Sequence, residues 1–337
     1  MSILTGERPG VFIDYDRSSV IGGSVSGKNA VLIAAFDSND SLKTFYSAAG
    51  AAVDKDLIAN PSVMSQANAI LSGGVSALYI IPVGGTLASY TGAFNRISLL
   101  DGVSAVVCDS DSVSVHKALA EFLDNSADGQ KEYLGFVSST DIQSAKTSAE
   151  TAGCMRLVMV GQGGALAAAA VCGAVMAAAI SDPLYGLELP AELTLNNRLT
   201  EAEIDDLVRS GVTPLEKVGG RTYSIRTVTT KSTTDGVFDR SLLDLQVVRI
   251  NDYVLSQVRT TLRRMLGKAR SNAKGRLAIS TQVRLVLENM VSSGLISAYD
   301  NPVITENASD SSVCTVSLGF NVARGYSRIY ISAVVSV

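Results

Sequence analysis

The sequence contains no tryptophan and a single histidine, His116. Without tryptophan, an aromatic-lined ligand pocket or a stacking platform for nucleic acid loses support. A single histidine excludes a zinc site built on a histidine pair. It also leaves Ser-His or Cys-His catalysis without a partner motif, since no G-x-S-x-G is present. His116 lies near the beginning of a predicted helix, where we expect an exposed side chain.

The four cysteines form no C-x-x-C pair, and each lies in an apolar run; they are Cys108, Cys154, Cys172 and Cys314. This placement predicts reduced, packed thiols, and it disfavours disulfides and metal sites. The chain does not open on a basic segment followed by an apolar one, so we expect a protein made and kept in a cytosol. No cofactor is predicted.

One apolar run, VMVGQGGALAAAAVCGAVMAAAI, is long enough to span a bilayer. It is rich in Ala and Gly instead of Leu and has no flanking basic cluster, so it predicts a core helix packed closely through small residues. Five shorter runs alternate with helical stretches: AVLIAAF, SALYIIPV, VSAVVCD, EYLGFVSS and RLVMV. Such runs suit strands buried on both faces, which predicts an α/β core, a mixed sheet flanked by helices.

The pattern changes from about residue 233. Apolar residues then recur every three or four positions over two helices, and alternation returns in VCTVSLGFNV. The apolar stripes consist of Leu243, Val247, Ile250, Val254, Val258, Leu262 and Met265, followed by Ile279, Val283, Val286, Leu287 and Met290. We therefore expect an α/β body over 21–232 and an α+β C-terminal assembly domain over 233–325.

At both ends of the chain, residues of an apolar face alternate with residues of an opposite face, with the period of a strand. The apolar faces are Val11, Ile13 and Tyr15 in the N-terminal arm 1–20, and Ile329, Ile331, Ala333, Val335 and Val337 in the C-terminal arm 326–337. An apolar strand at a chain end presents an edge that soluble proteins normally blunt with charge or proline. We therefore expect another chain to cover these extended arms.

Charge is unevenly distributed along the chain. Residues 253–287 contain eight basic and no acidic residues, so all 32 acidic residues lie elsewhere. The basic residues are Arg259, Arg263, Arg264, Lys268, Arg270, Lys274, Arg276 and Arg284. Tyr253 is the only aromatic residue in this stretch, which leaves phosphate contacts without base stacking. A protein partner with an acidic face is at least as well supported as nucleic acid.

Three motifs resemble ligand sites incompletely. GGSVSGKN, from Gly22 to Asn29, is a near-P-loop, but Asn29 replaces the Ser or Thr and a strand follows. A flexible Gly/Ser link explains this segment better. The turn Gly161–Gly164 has strand, glycines and helix in dinucleotide-binding order, but Leu166 replaces the third glycine. The D-x-D pair of Asp109 and Asp111 could bind a divalent metal, although helix N-capping is the simpler interpretation.

Several stretches, in order along nearly the whole chain, resemble contractile tail sheath proteins of the small kind found in Gram-positive phages, phage-like bacteriocins and defective prophages. They are ERPGVFIDY, AAAAVCGAVMAAAISDPLYGLELPA, LTEAEIDDLVRSGVTPLEKVGGRTYSIRTVTT and FDRSLLDLQVVRINDYVLSQVRTTLRRMLG. The resemblance implies a structural subunit, not an enzyme. Such a subunit donates both terminal strands to neighbouring copies and polymerises as helically stacked hexameric rings around an inner tail tube.

The resemblance also implies partners and roles. The partners are further copies of the chain, the tube protein, and baseplate and tail terminator proteins, without nucleic acid or membrane insertion. We expect hinges at Gly22, Gly23, Gly27 and Gly325, and an inward-facing basic surface of Arg263, Arg264, Lys268, Arg270 and Lys274. Assembly is expected in the host bacterial cytoplasm, followed by residence in the tail of a virion or phage-like particle. An α/β enzyme dependent on NAD or a metal is the main alternative, and a non-contractile tail-tube or capsid component is another.

Overall fold

The computed structural model describes residues 28–195, 198–307, 310 and 312–325. The five apolar runs are the five central strands of one sheet, as predicted. Its strands are β1 (Asn29–Ala35), β2 (Lys43–Phe45), β3 (Ala77–Val83), β4 (Val103–Cys108), β5 (Leu134–Ser138), β6 (Leu157–Val160) and, numbered in chain order, β8 (Val212–Thr213).

The helices of this part of the chain alternate with the strands. They are α1 (Ala48–Ala52), α2 (Lys55–Ala59), α3 (Pro61–Leu71), α4 (Leu87–Ile97), α5 (Val113–Asp128), α6 (Ile142–Ala152), α7 (Gly164–Ala177) and α8 (Glu201–Arg209). Thr200 and Glu203 form a capping box at the start of α8, and α5 runs from its N-cap Ser112 to Gly129.

The sheet has seven strands in the order β2-β3-β1-β4-β5-β6-β8. All neighbours are parallel except the edge strand β2, which runs antiparallel to β3. Alternate residues of each strand enter two separate cores, so that Leu32 packs on the face with α3 and α7 while Ile33 packs on the face with α4, α5 and α6. This double coverage explains why the strand sequences are continuously apolar.

Helix α7 packs closely against α3 through small residues, as the Ala- and Gly-rich run predicted. A Cβ atom on Gly173 would overlap the Ala69 carbonyl oxygen, and one on Gly73 would overlap the backbone of Gly173. Ten residues of α7 are buried. Within the described residues no helix combines the length and apolarity needed to cross a membrane.

A small antiparallel sheet and a hairpin connect this core to the last third of the chain. The sheet has the order β7-β10-β9, with β7 (Tyr185–Glu188), β9 (Leu215–Val218) and β10 (Arg221–Arg226). The hairpin pairs β11 (Thr233–Thr234) with β12 (Val237–Phe238).

The last third contains two long antiparallel helices and two β-ribbons. Its elements are α9 (Leu245–Met265), α10 (Ala273–Ser292), β13 (Ile296–Tyr299), β14 (Val303–Glu306), β15 (Cys314–Ser317) and β16 (Phe320–Val322). The two predicted apolar stripes meet in a third core around Val254, Val258, Val283 and Leu287. The predicted fold class, an α/β core followed by an α+β C-terminal part, is thus confirmed for the described residues, and the two arms lie outside them.

The expectations for His116 and Cys314 were wrong. His116 is completely buried: Nε2 donates to the Ser110 carbonyl oxygen at 2.6 Å, so Nδ1 accepts from Ser148 Oγ at 2.6 Å. The His116 ring lies at the contact between α5 and α6, and the sequence of α5 alone could not predict that contact. Cys314 is exposed because β15 belongs to a thin ribbon, whereas Cys108, Cys154 and Cys172 are buried as expected.

Candidate functional site

The two C-terminal ribbons have open edges. β13 pairs only with β16, and β14 pairs only with β15, among the strands that the structure describes. Each ribbon therefore keeps backbone donors and acceptors without a strand partner in the described part of the chain. Such edges can accept a strand from another chain.

The chain leaves its described part beside one of these ribbons. After β16, Ala323 N donates to the Leu295 carbonyl oxygen at 3.0 Å, and Arg324 Nη2 donates to the Ser241 carbonyl oxygen at 3.4 Å. Gly325 follows, and a Cβ atom there would overlap Pro183. Residues 323–325, which precede the C-terminal arm, thus lie beside the ribbon β13–β16 and pack against the body. The hinge role of Gly325 stays a prediction, while Gly22, Gly23, Gly27 and both arms lie outside the described residues.

Helix α9 is fixed to the α/β body by buried charges. Arg156 Nη2 lies 3.2 Å from Asp252 Oδ1, and Arg259 Nη2 lies 2.9 Å from Glu132 Oε1, with all four side chains at most 4% exposed. Burial raises the pKa of Asp252 to about 7, although the nearby Arg156 guanidinium opposes the shift. Charges buried in this way are costly unless paired, so they specify how α9 docks.

A third buried side chain of α9 holds the end of α7. Arg249 Nη2 donates to the Ala178 carbonyl oxygen at 2.9 Å, just beyond the last residue of α7. A cation is favourable at a helix C-terminus because the last carbonyl groups are unpaired and carry partial negative charge. Burial lowers the pKa of this guanidinium to about 10.

The eight basic residues of 253–287 divide into two groups. Arg259, Arg276 and Arg284 pair with Glu132, Glu306 and Glu288, respectively. Residues outside the acid-free window thus neutralise part of it, which reading along the sequence could not reveal. The other five are exposed and have no carboxylate within ion-pair distance among the described residues: Arg263, Arg264, Lys268, Arg270 and Lys274. They are the five expected to face inward.

These five residues lie at one end of the helical pair, in the last turn of α9, the connection 266–272 and the start of α10. We call them the basic surface. Lys268 and Lys274 border an open groove with Met265 and Leu277, and Leu277 is 68% exposed. Arg263 Nη2 donates to Gln130 Oε1 at 2.6 Å. The surface combines exposed positive charge with an apolar patch, as protein interfaces commonly do.

The residues of the enzyme alternative have structural partners. Asp109 Oδ2 accepts from Ala35 N at 2.7 Å and Oδ1 accepts from Tyr90 Oη at 2.5 Å, so Asp109 does not cap α5 as the N-capping interpretation held. Asp111 is exposed. No group of three side chains able to hold a metal occurs within the ranges that the structure describes.

Of the two glycine motifs, one is packed in the body and the other is followed by a strand. The turn Gly161–Gly164 is packed: a Cβ on Gly161 would lie 2.9 Å from Val212, and one on Gly163 would lie 3.7 Å from Leu193. The near-P-loop runs directly into β1, which begins at Asn29, and not into a helix. A phosphate cradle needs the N-terminus of a helix at that point.

Comparisons with known proteins agree with this architecture. Residues 238–336 match the family model of the phage tail sheath C-terminal domain. The helical sheath of the anti-feeding prophage in its contracted state superposes with a TM-score of 0.70 at 13% identity, over 98% of this chain and 99% of that chain. A sheath tail protein from Desulfitobacterium hafniense gives 0.67 at 11% identity, over 93% of this chain and 100% of that chain.

A third structure has the same fold. The sheath complex of the PVC extracellular contractile injection system, in its contracted state, gives a TM-score of 0.65 at 12% identity, over 99% of both chains. The comparison with curated proteins gives no match. At these identities the structures establish a shared fold, and the predicted resemblance to contractile tail sheath proteins is confirmed.

Proposed function

We propose that this chain is a structural subunit of a contractile tail sheath, which polymerises around an inner tail tube and contracts to drive the tube through a cell envelope. The observation that carries the proposal is the sheath fold, which extends over 98% of this chain and includes the two open ribbons. The match of residues 238–336 to the sheath C-terminal domain supports it from sequence.

Strand exchange would hold the assembly together. The arms 1–20 and 326–337 would pair with the open edges of ribbons in neighbouring copies, burying Val11, Ile13 and Tyr15 of one arm and Ile329, Ile331, Ala333, Val335 and Val337 of the other. Each ladder hydrogen bond contributes about 1 kcal/mol net. Because every subunit both gives and receives strands, many modest contacts act together. Stacked hexameric rings would meet these requirements.

Contraction would be a movement of rigid bodies. The two cores of the main sheet and the buried charges of α9 make each subunit stiff, while Gly22, Gly23, Gly27 and Gly325 would act as hinges between body and arms. The energy that drives contraction would be the difference in free energy between the subunit contacts of the extended state and those of the contracted state, so no nucleotide is required. Baseplate and tail terminator proteins would close the two ends, after assembly in the host cytoplasm.

The basic surface would contact the tube. A tube must keep register before contraction and slip free afterwards, which favours polar and salt-sensitive contacts over a large apolar interface. Five exposed cations without a carboxylate partner in the described chain meet that requirement.

Truncation tests the proposal. The full chain, purified and examined by negative-stain electron microscopy, should form long striated tubes. Removal of 326–337 or of 1–18 should leave a subunit with unchanged circular dichroism that forms no tubes, because each arm completes a sheet of another copy. Discrete small oligomers of the full chain, or normal tubes from either truncated chain, would contradict the proposal.

A further inference from the structure

A second cluster of cations precedes the basic surface in the sequence and lines a cavity of about 250 Å³. Three arginines line it: Arg209 at the end of α8, Arg226 at the end of β10, and Arg240 after the hairpin β11–β12. Asp205, Val208, Phe238 and Leu243 complete its wall. We call it the arginine cavity.

One of the three arginines is already used. Arg226 forms a bidentate pair with Asp244, with Nε at 2.8 Å from Oδ1 and Nη2 at 3.0 Å from Oδ2, and its guanidinium lies 5.6 Å from the centre of the Tyr185 ring. Asp205 also interacts electrostatically with Arg226. The two carboxylates near the cavity are thus engaged with the central arginine, which fixes its position.

The other two arginines remain available. Arg240 lies over the Phe238 ring, 5.7 Å from its centre, and Arg209 ends α8. Both are exposed, and neither has a carboxylate within ion-pair distance among the residues that the structure describes. Among the described residues, three guanidinium groups face two carboxylates here, which leaves an excess of positive charge at the cavity. A guanidinium stacked on a ring keeps its N–H groups for a planar acceptor, which favours a carboxylate ligand.

The cavity lies next to the ribbon that is open to strand addition. Ser241, adjacent to Arg240, accepts from Arg324, which follows β16 by two residues. β16 itself is three residues long, about 10 Å. A donated strand of nine residues, the length of 8–16, would span about 30 Å along β16 and would therefore extend beyond the ribbon.

Only one arm can supply carboxylate side chains. The arm 326–337 contains no acidic residue, whereas the N-terminal arm contains Asp14 and Asp16 on the face opposite Val11, Ile13 and Tyr15. In an extended strand two such residues lie about 7 Å apart on the same side. We propose that the arginine cavity binds the Asp14 and Asp16 carboxylates of a second copy of this chain and so fixes the register of the donated N-terminal strand. This inference rests on the strand exchange proposed above.

Binding of a peptide tests the inference without requiring tubes. A fluorescent peptide of residues 8–18 should bind the full chain, and Arg209→Glu with Arg240→Glu should weaken binding about tenfold, as expected for two partly exposed charge pairs. The same peptide with Asp14→Lys and Asp16→Lys should recover binding on that variant. Arg96→Glu with Arg198→Glu removes two cations outside the cavity and serves as the matched control.

The possible outcomes distinguish the assignment of the arginine cavity from the proposed function. Equal affinity of the wild-type peptide for the cavity variant and the control, or no recovery with the reversed peptide, would overturn the cavity assignment even if tubes form. Loss of tubes in the cavity variant and their restoration when all four reversals share one chain would support it. If the glutamate variant does not fold, Arg209→Gln with Arg240→Gln replaces it, and unchanged peptide affinity there would likewise overturn the assignment. Absence of tubes from the wild-type chain would contradict the proposed function, while the peptide result still decides the cavity.

Discussion

At the scale of single residues, the buried charges between α9 and the body have the largest expected effect on stability. Arg259, Glu132, Arg156 and Asp252 are almost completely buried. None of these pairings was predicted, because their members are far apart in sequence: Arg259 and Glu132 are separated by 127 residues. The sequence located Arg259 in a basic helix, but only the packing of that helix reveals a carboxylate beneath it.

Replacement of Arg259 by Met should destabilise the chain by about 3 kcal/mol, because the Glu132 carboxylate stays buried but loses its ion pair with Arg259. Arg264→Met is the matched control on the same helix, since Arg264 is exposed, and it should change stability by less than about 0.5 kcal/mol. Urea unfolding followed by circular dichroism measures both. Equal effects would show that the pair does not anchor α9.

His116 should make stability depend on pH. Burial lowers its pKa below the ordinary value of 6.5, so the unfolded chain takes up a proton before the folded chain does. Stability from the neutral ring is present above pH 6.5 and is lost as pH falls below it, at no more than about 1.4 kcal/mol per pH unit. His116→Gln should abolish this slope. Melting temperatures of both proteins from pH 8 to pH 5 should therefore converge or cross as pH falls, and a constant difference would contradict the assignment.

At the scale of elements, sequence patterns predicted where strands and long helices occur. They predicted less well which parts of these elements are covered by other layers. Continuous apolar runs identified β1, β3, β4, β5 and β6, because strands covered on both faces have few polar positions. The short strands β2 and β8 at the sheet edges carry no such signal. The exposure of Cys314 was missed because alternation in VCTVSLGFNV indicates a strand but not whether a second layer covers it.

The contact of α3 with α7 gives a test at this scale. Gly173→Ala should destabilise the chain by about 1–3 kcal/mol, because the new methyl group would overlap the Ala69 carbonyl oxygen. Gly92→Ala, in α4, has open space and should stabilise the chain by up to about 1 kcal/mol, as alanine does in helices generally. Thermal unfolding of the two variants measures the opposite signs. Stabilisation by Gly173→Ala would show that the two helices are not in close contact.

At the scale of the whole molecule, the features that support the proposed assembly are unevenly distributed along the chain. The open ribbons, the basic surface and the arginine cavity all belong to the last half of the chain, while the main sheet is covered on both faces. The sequence singled out the five cations of the basic surface, whose tube-facing role stays a prediction, and the predicted arms lie outside the described residues. The sequence could not show that the other three cations of 253–287 are neutralised, since Glu132, Glu288 and Glu306 lie outside the acid-free window.

Charge reversal tests the tube-facing role. Arg263→Glu with Lys268→Glu should reduce the amount of sheath assembled around tubes roughly tenfold at physiological salt, because attraction to an acidic tube becomes repulsion. Lys117→Glu with Arg198→Glu is the control with the same change in net charge elsewhere. Co-sedimentation with tubes over a salt series measures the difference. Assembly equal to that of the control at every salt concentration would exclude the inward-facing assignment.

A helical reconstruction of the assembled tubes by electron cryo-microscopy would show whether copies exchange strands. If copies exchange strands, the ribbon β13–β16 becomes a larger sheet, with additional strands along its open edges that trace to residues 8–16 and 326–337 of neighbouring copies. Tubes in which both ribbons remain two-stranded, with each arm folded onto its own subunit, would contradict strand exchange.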